Sequence, residues 1–202
     1  MRASSNSAPS PSAKPPTRRE RKRAEAKAKV AEIGIALFAE RGFANVSVDE
    51  ICDAAGVAPR SFFRYFPAKA DLLLEPVIEM TQQLEAAIAA APAQDDNARV
   101  LRDAFRQLAT YVLEHWERLS LFFVASTDAG AASRSPLIHL TDRERMLTDL
   151  LRQRDASPPL LDWQLRLLVA RTLAAFRVWL EDVRMDRTTS PLDHLETILQ
   201  AK

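Results

Sequence analysis

Apolar residues recur at helical spacing along nearly the whole chain, and short runs rich in Pro, Gly, Ser and Asp interrupt them. TRRERKRAEAKAKVAEIGIALFAERG starts at Thr17, a suitable cap, and sets Val30, Ile33, Ala36, Leu37 and Phe38 on one stripe. Gly42 stands where a C-terminal glycine belongs. In NVSVDEICDAAG, Ser47 with Glu50 three residues on has the spacing of a capping box, and Val48, Ile51 and Ala55 form the inward side of a short helix. Gly56 and Val57 make a turn. A third helix is predicted from about Pro59 to Phe66, with proline at its favoured first position. PAKADLLLEPVIEMTQQLEAAIAAA predicts a fourth, longer helix with Pro76 inside it, expected to bend it or mark a restart.

Beyond the linker PAQDDNA the periodicity predicts helices at about 98–115, 117–128, 136–154, 160–185 and 190–201. DAGAASRSP, DASPP and DRTTSP separate the later ones. No alternating strand pattern appears, so the expected class is all-α. Residues 1–16 are Ser, Ala and Pro with little to bury and are expected to be a disordered tail. The first three helices, residues 17–72, read as one domain and residues 73–202 as a second, helical bundle.

Charge changes this picture where composition does not. The net charge is only +1, yet Lys14 to Leu72 holds 12 Lys/Arg against 8 Asp/Glu, and the chain from Leu73 holds 15 against 19. A basic first third beside an acidic remainder points to a polyanion as partner of the first domain. Cys52 is the single cysteine, which excludes a disulfide framework and a CxxC-type zinc site. His139 and His194 lack ligand-spaced partners, and no metal or cofactor is expected. No run approaches a membrane span, and the opening residues lack the apolar core of a signal peptide, so a cytoplasmic protein is expected.

The third helix divides into two faces. Wound at about 100° per residue, Phe62 and Phe66 fall on one side, together with Ala58 and Pro59, while Arg60 and Arg64 stand opposite. Phe63 and Ser61 are the shoulders and Tyr65 lies at the edge. Two short helices, a glycine turn and an arginine-bearing face on the second helix form a helix-turn-helix, whose second helix fits the major groove. Arginine there can grip a guanine edge through two hydrogen bonds. The cap at Ser47 and Lys69 at the next helix start add two positions suited to phosphate. The plainer reading of each feature is a solvated helix face.

The run ALFAERGFANVSVDEICDAAGVAPRSFFRYFPAKADLL resembles the amino-terminal domain of the TetR family of bacterial transcriptional regulators, continuously from about Ile33 to Leu73. That resemblance implies that Ser47, Tyr65 and Lys69 grip phosphates, and that Pro59, Arg60, Ser61, Phe63 and Arg64 form the groove-facing side. Two departures stand out. Ala58 replaces a frequent Ser or Thr, and Phe63 replaces a frequent Tyr, so each lacks a hydroxyl. Seven Lys/Arg between Arg18 and Lys29 suggest an arm toward DNA.

The resemblance further implies an effector-binding and dimerising second domain, and a chain that binds double-stranded DNA as a homodimer through its first domain. Tyr111, His115, Trp116, Phe123, Trp163 and Phe176 are the candidate effector-site residues, each with a plain core reading beside it. The wide apolar surface of helix 160–185, with Leu192, Leu195, Ile198 and Leu199, suits a two-fold four-helix interface. FRVWLED, residues 176–182, is similar to a subgroup associated with mycofactocin-type regulators. The chain lacks a GxSxG elbow, a P-loop and HExxH, so an enzyme is not expected. The expected function is a ligand-responsive repressor released from a pseudo-palindromic operator by a small apolar or amphipathic effector. The alternative is a helical sensor or dimerisation module with a degenerate DNA-binding head.

Overall fold

A computed structural model describes residues 17–132, 136–154, 156 and 159–201, without the side chains of Glu20, 128–132 and 136–141. The expected tail 1–16, parts of two linkers and the His139 side chain lie outside the described residues. Nine α-helices are described: α1 Arg18–Arg41, α2 Val48–Ala55, α3 Pro59–Tyr65, α4 Leu74–Ala90, α5 Asn97–Glu114, α6 Trp116–Ala132, α7 Pro136–Arg152, α8 Asp162–Arg184 and α9 Pro191–Gln200. There is no strand among the described residues, so the class is all-α, and the periodicity places every helix but the fourth within a few residues.

The fourth helix differs from its expectation. Lys69–Leu73 forms a 3₁₀ turn, in which the Asp71 carboxylate accepts from the Ala68 backbone N–H at 2.8 Å, and α4 begins only at Leu74. Pro76 is then the third residue of α4. The first-turn N–H groups of a helix have no partner within it, so proline removes no bond there and need not bend the helix.

Helices α1–α3 close around Phe38, Ile51, Phe62, Phe66 and Leu72, all at most 1% exposed. Gly34 lets α1 approach the 3₁₀ turn: a Cβ at that position would stand 2.8 Å from Leu72 Cδ1. Gly56, with φ 68°, ends α2 in the left-handed region that glycine adopts without steric cost. In the second unit α5 is the central helix, packed against α4, α6, α8 and α9, and α7 packs on α8 and α4. Helix α1 also lies against α6, so the first three helices rest on the bundle and not on α4 alone.

Candidate nucleic-acid interface

The α2–α3 pair is built from its caps and anchors. Ser47 begins α2 with both halves of the capping box: the Glu50 N–H donates to Ser47 Oγ at 3.2 Å, and the Ser47 N–H donates to Glu50 Oε2 at 2.8 Å. The backbone hydrogen bond from Ser47 comes first among the causes that hold the Glu50 carboxyl below its usual range, and the Ser47 hydroxyl, donating at 2.8 Å, adds to it. Arg41 pairs with Glu50 at 3.1 Å on the open surface, where solvent screening leaves the contact weak. The Ser47 hydroxyl is therefore engaged inside the chain. What α2 offers a phosphate is the backbone N–H groups of its first turn.

Helix α3 hangs on Phe62 and Phe66, whose ring centres lie 5.7 Å apart in the core. Opposite them Arg60 and Arg64 are exposed, Phe63 is 53% exposed, and Ser61 is half-buried. Ala58 and Pro59 are exposed, contrary to the inward side that the helical wheel assigns them. They begin the helix where the chain leaves the Gly56 turn, and the core does not reach that far. Arg64 folds toward its neighbour: Nη2 donates to the Tyr65 hydroxyl at 3.2 Å, and the guanidinium lies 5.1 Å from the ring centre.

Lys69 is half-buried and works inward. Its Nζ donates to the carbonyls of Phe43 and Val46 at 2.7 and 2.8 Å and sits 4.3 Å from the Phe43 ring centre. The ammonium has three donors, so one remains for an outside anion. No sequence pattern announces this staple, because the partners are backbone carbonyls more than 20 positions earlier. Lys27, counted within the basic arm, is likewise used inside: it pairs with Glu75 at 2.5 Å and lies 5.4 Å from the Phe66 ring centre. Arg18, Arg19, Arg21, Lys22 and Arg23 remain exposed on the first turns of α1.

The effector candidates separate into groups. Tyr111 and His115 stack with ring centres 4.3 Å apart, and Trp116 and Phe123 lie 6.2 Å apart on α6. Phe176 belongs to a different cluster, 5.3 Å from Phe105 and 5.0 Å from Trp179. Trp163 is 56% exposed at the start of α8. A cleft of about 510 Å³ opens between α1, α4 and α6, walled by Glu75, Glu79, Glu114, His115, Glu117 and Arg118 among others. Within FRVWLED, Trp179 is buried and donates to the Pro191 carbonyl at 2.7 Å, and Asp182 meets His194 at 2.8 Å. That motif ties α8 to α9.

Comparison with known proteins agrees with this geometry. Residues 32–75 match the model of the tetR family of bacterial regulatory proteins. The transcriptional regulator TcmR of Streptomyces glaucescens is 29% identical over 91 residues, 45% of this chain and 40% of that one. A chain named for mycofactocin biosynthesis regulation, MftR of Mycobacterium tuberculosis, is 50% identical over 40 residues, 20% of each chain. The matches thus span less than half the length of either relative. In fold, the crystal structure of NalD, a repressor from Pseudomonas aeruginosa, covers 89% of this chain and 94% of its own at a TM-score of 0.59 and 20% identity. Residues 32–75 thus resemble the amino-terminal domain of the tetR family of bacterial regulatory proteins, and the all-helical fold around them is similar to that of NalD.

Proposed function

We propose that the chain is a homodimeric, effector-responsive transcriptional repressor, with residues 17–72 as its DNA-binding head and residues 73–202 as its effector-binding and dimerising domain. The observation that carries the reading is α3: a short helix held by two buried phenylalanines and presenting Arg60, Phe63 and Arg64 to solvent. A helix of that size enters a major groove. Arg60 and Arg64 would reach base edges, Phe63 a thymine methyl, and Pro59 and Ser61 the groove wall. Tyr65, Lys69 and the start of α2 at Ser47 would hold phosphates and so fix the register.

Dimerisation is supported by an apolar stripe on α8 that its own subunit leaves uncovered. Trp163, Leu167, Val178 and Met185 lie on it, with Leu167 50% and Met185 55% exposed. A two-fold contact along α8 and α9 would cover these residues and place two α3 helices on two half-sites. No described helix is long and apolar enough to cross a membrane, and a DNA reader of this kind works in the cytoplasm. The effector would enter near Tyr111, His115, Trp116 and Phe123, and would release DNA by binding the non-binding arrangement more tightly. The subgroup suggested by FRVWLED belongs with this reading, as residues of domain packing.

The test is selection of bound sequences from random DNA by the purified protein, beside a variant carrying Arg60→Ala and Arg64→Ala. A two-fold symmetric motif that disappears in the double variant is expected. Absence of any motif at moderate salt would leave the degenerate head as the better reading.

A further inference from the structure

Helix α4 joins the DNA-binding head to the bundle, and it is held at three places. At its C-terminal end Arg154 donates to the carbonyls of Ile88, Ala91 and Pro92 at 2.9, 3.3 and 2.5 Å, which caps the helix and anchors it. Near its other end Glu75 meets Lys27 of α1, the lysine that also covers Phe66 at the exit of α3. One turn further on, Glu79 faces the bundle. Its Oε2 accepts from Arg118 Nη2 at 2.7 Å and from the Tyr111 hydroxyl at 3.1 Å, and Arg118 Nη2 also donates to the Tyr111 oxygen at 3.1 Å.

These three groups form a closed, half-buried triangle in which each member touches both others. Burial, followed by the Glu79 charge, pushes the Tyr111 phenol up. The hydrogen bond to Glu79 raises Arg118. Both therefore stay protonated at ordinary pH. Beside it lies the cleft of about 510 Å³ between α1, α4 and α6, which gives the helix room to swing once released. From the Arg154 anchor to Leu74 the helix is about 20 Å long. A tilt of roughly 10° would move its head end by about 3.4 Å, one base-pair step.

We propose that Glu79, Arg118 and Tyr111, with Lys27 and Glu75 one turn away, are positioning residues that fix the angle of the DNA-binding head on the bundle and thereby set the half-site separation the dimer reads. This rests on the dimeric DNA-binding reading above. None of these residues needs to touch DNA. Their removal should leave half-site sequence preference intact and loosen the spacing.

The experiment takes the half-site from the wild-type selection and presents pairs of it with spacers of varied length to wild type, Glu79→Gln, Arg118→Met, Arg118→Lys, Tyr111→Phe and Lys27→Met. Thermal unfolding of each variant is followed in parallel. Wild type should favour one spacing. In Glu79→Gln, Arg118→Met and Lys27→Met the preference over a spacer one base pair longer or shorter should fall about threefold to tenfold, the scale of a partly screened charged hydrogen bond. Arg118→Lys should keep most of it, and Tyr111→Phe should lose less than Glu79→Gln. A uniform loss of affinity with the spacing preference unchanged would make these residues merely stabilising and overturn the proposal. A wild type that enriches single half-sites only would overturn the dimeric reading, and the positioning role with it.

Discussion

Phe62 and Arg64 are two residues apart, and their roles differ because one ring is sealed from water while the guanidinium is not. Truncating Phe62 to alanine would cost about 3–5 kcal/mol, comparable to the whole stability of a small helical head. Arg64 is exposed, so its removal should spare the fold and act on DNA alone. Arg64→Ala is expected to weaken binding by roughly 1–3 kcal/mol on the preferred sequence and to relax preference at one base pair, as removing a two-pronged guanine grip does. Lys69 is the informative contrast. Its third donor reaches a phosphate in the proposed complex, yet its other two hold the Phe43 and Val46 carbonyls. Lys69→Met should therefore weaken all sequences alike and also lower the unfolding midpoint. Binding curves on matched and mismatched sites, with thermal unfolding of the free protein, separate these outcomes. A sequence-selective loss in Lys69→Met, or an unchanged midpoint, would contradict the staple. From Arg60 onward the two faces of α3 are legible in the sequence, because periodicity separates Phe62 and Phe66 from Arg60 and Arg64, but it misplaces Ala58 and Pro59 at the helix start. The staple is not, because a lysine–carbonyl contact leaves no pattern.

Elements are legible wherever a cap marks them and less so where a start is hidden. Ser47 and Glu50 announce α2, and Pro59 announces α3. The start of α4 lies behind a 3₁₀ turn whose apolar residues continue the helical stripe, so Pro76 looks internal when it stands in the first turn. The pairing of elements is not legible, since Lys27 and Glu75, or Glu79 and Arg118, meet across dozens of residues. The junction of α8 and α9 shows the same limit. Asp182 accepts from His194 and pairs with Arg187, and those hydrogen bonds, His194 first, hold its carboxyl below the usual range. A depressed folded-state pKa means the tie contributes above the unfolded-chain value and is lost as pH falls through the folded one. Wild type should therefore lose stability as the pH drops below about 4. Asp182→Asn should start less stable at neutral pH and lose less in acid. Urea unfolding of both proteins across that range checks this, and parallel acid limbs would remove Asp182 from the junction's stability.

Over the whole molecule, the near-zero net charge hides a separation of basic head and acidic bundle. In the proposed complex, like charge on the bundle would keep it off the DNA, while the head and its arm would face the phosphates. The described start of α1 sharpens what the arm contributes. Seven basic residues lie between Arg18 and Lys29, but Lys27 is committed to Glu75 and Lys29 is exposed farther along α1, which leaves Arg18, Arg19, Arg21, Lys22 and Arg23 as the five exposed on the first turns. Buried packing of α1 begins only at Val30. Deleting residues 1–23 therefore removes these charges without entering the core, and the head should still fold. Every phosphate that the protein ceases to neutralise lowers the slope of log affinity against log salt by about 0.9. The truncated protein is expected to bind more weakly at low salt and to show a shallower slope, by about one to three phosphates per subunit. Its preferred half-site should remain the wild-type one, because α3 is untouched. Titrations of one operator at several salt concentrations measure both quantities. An unchanged slope would show that these five residues face solvent in the complex and that the head alone carries the electrostatic attraction.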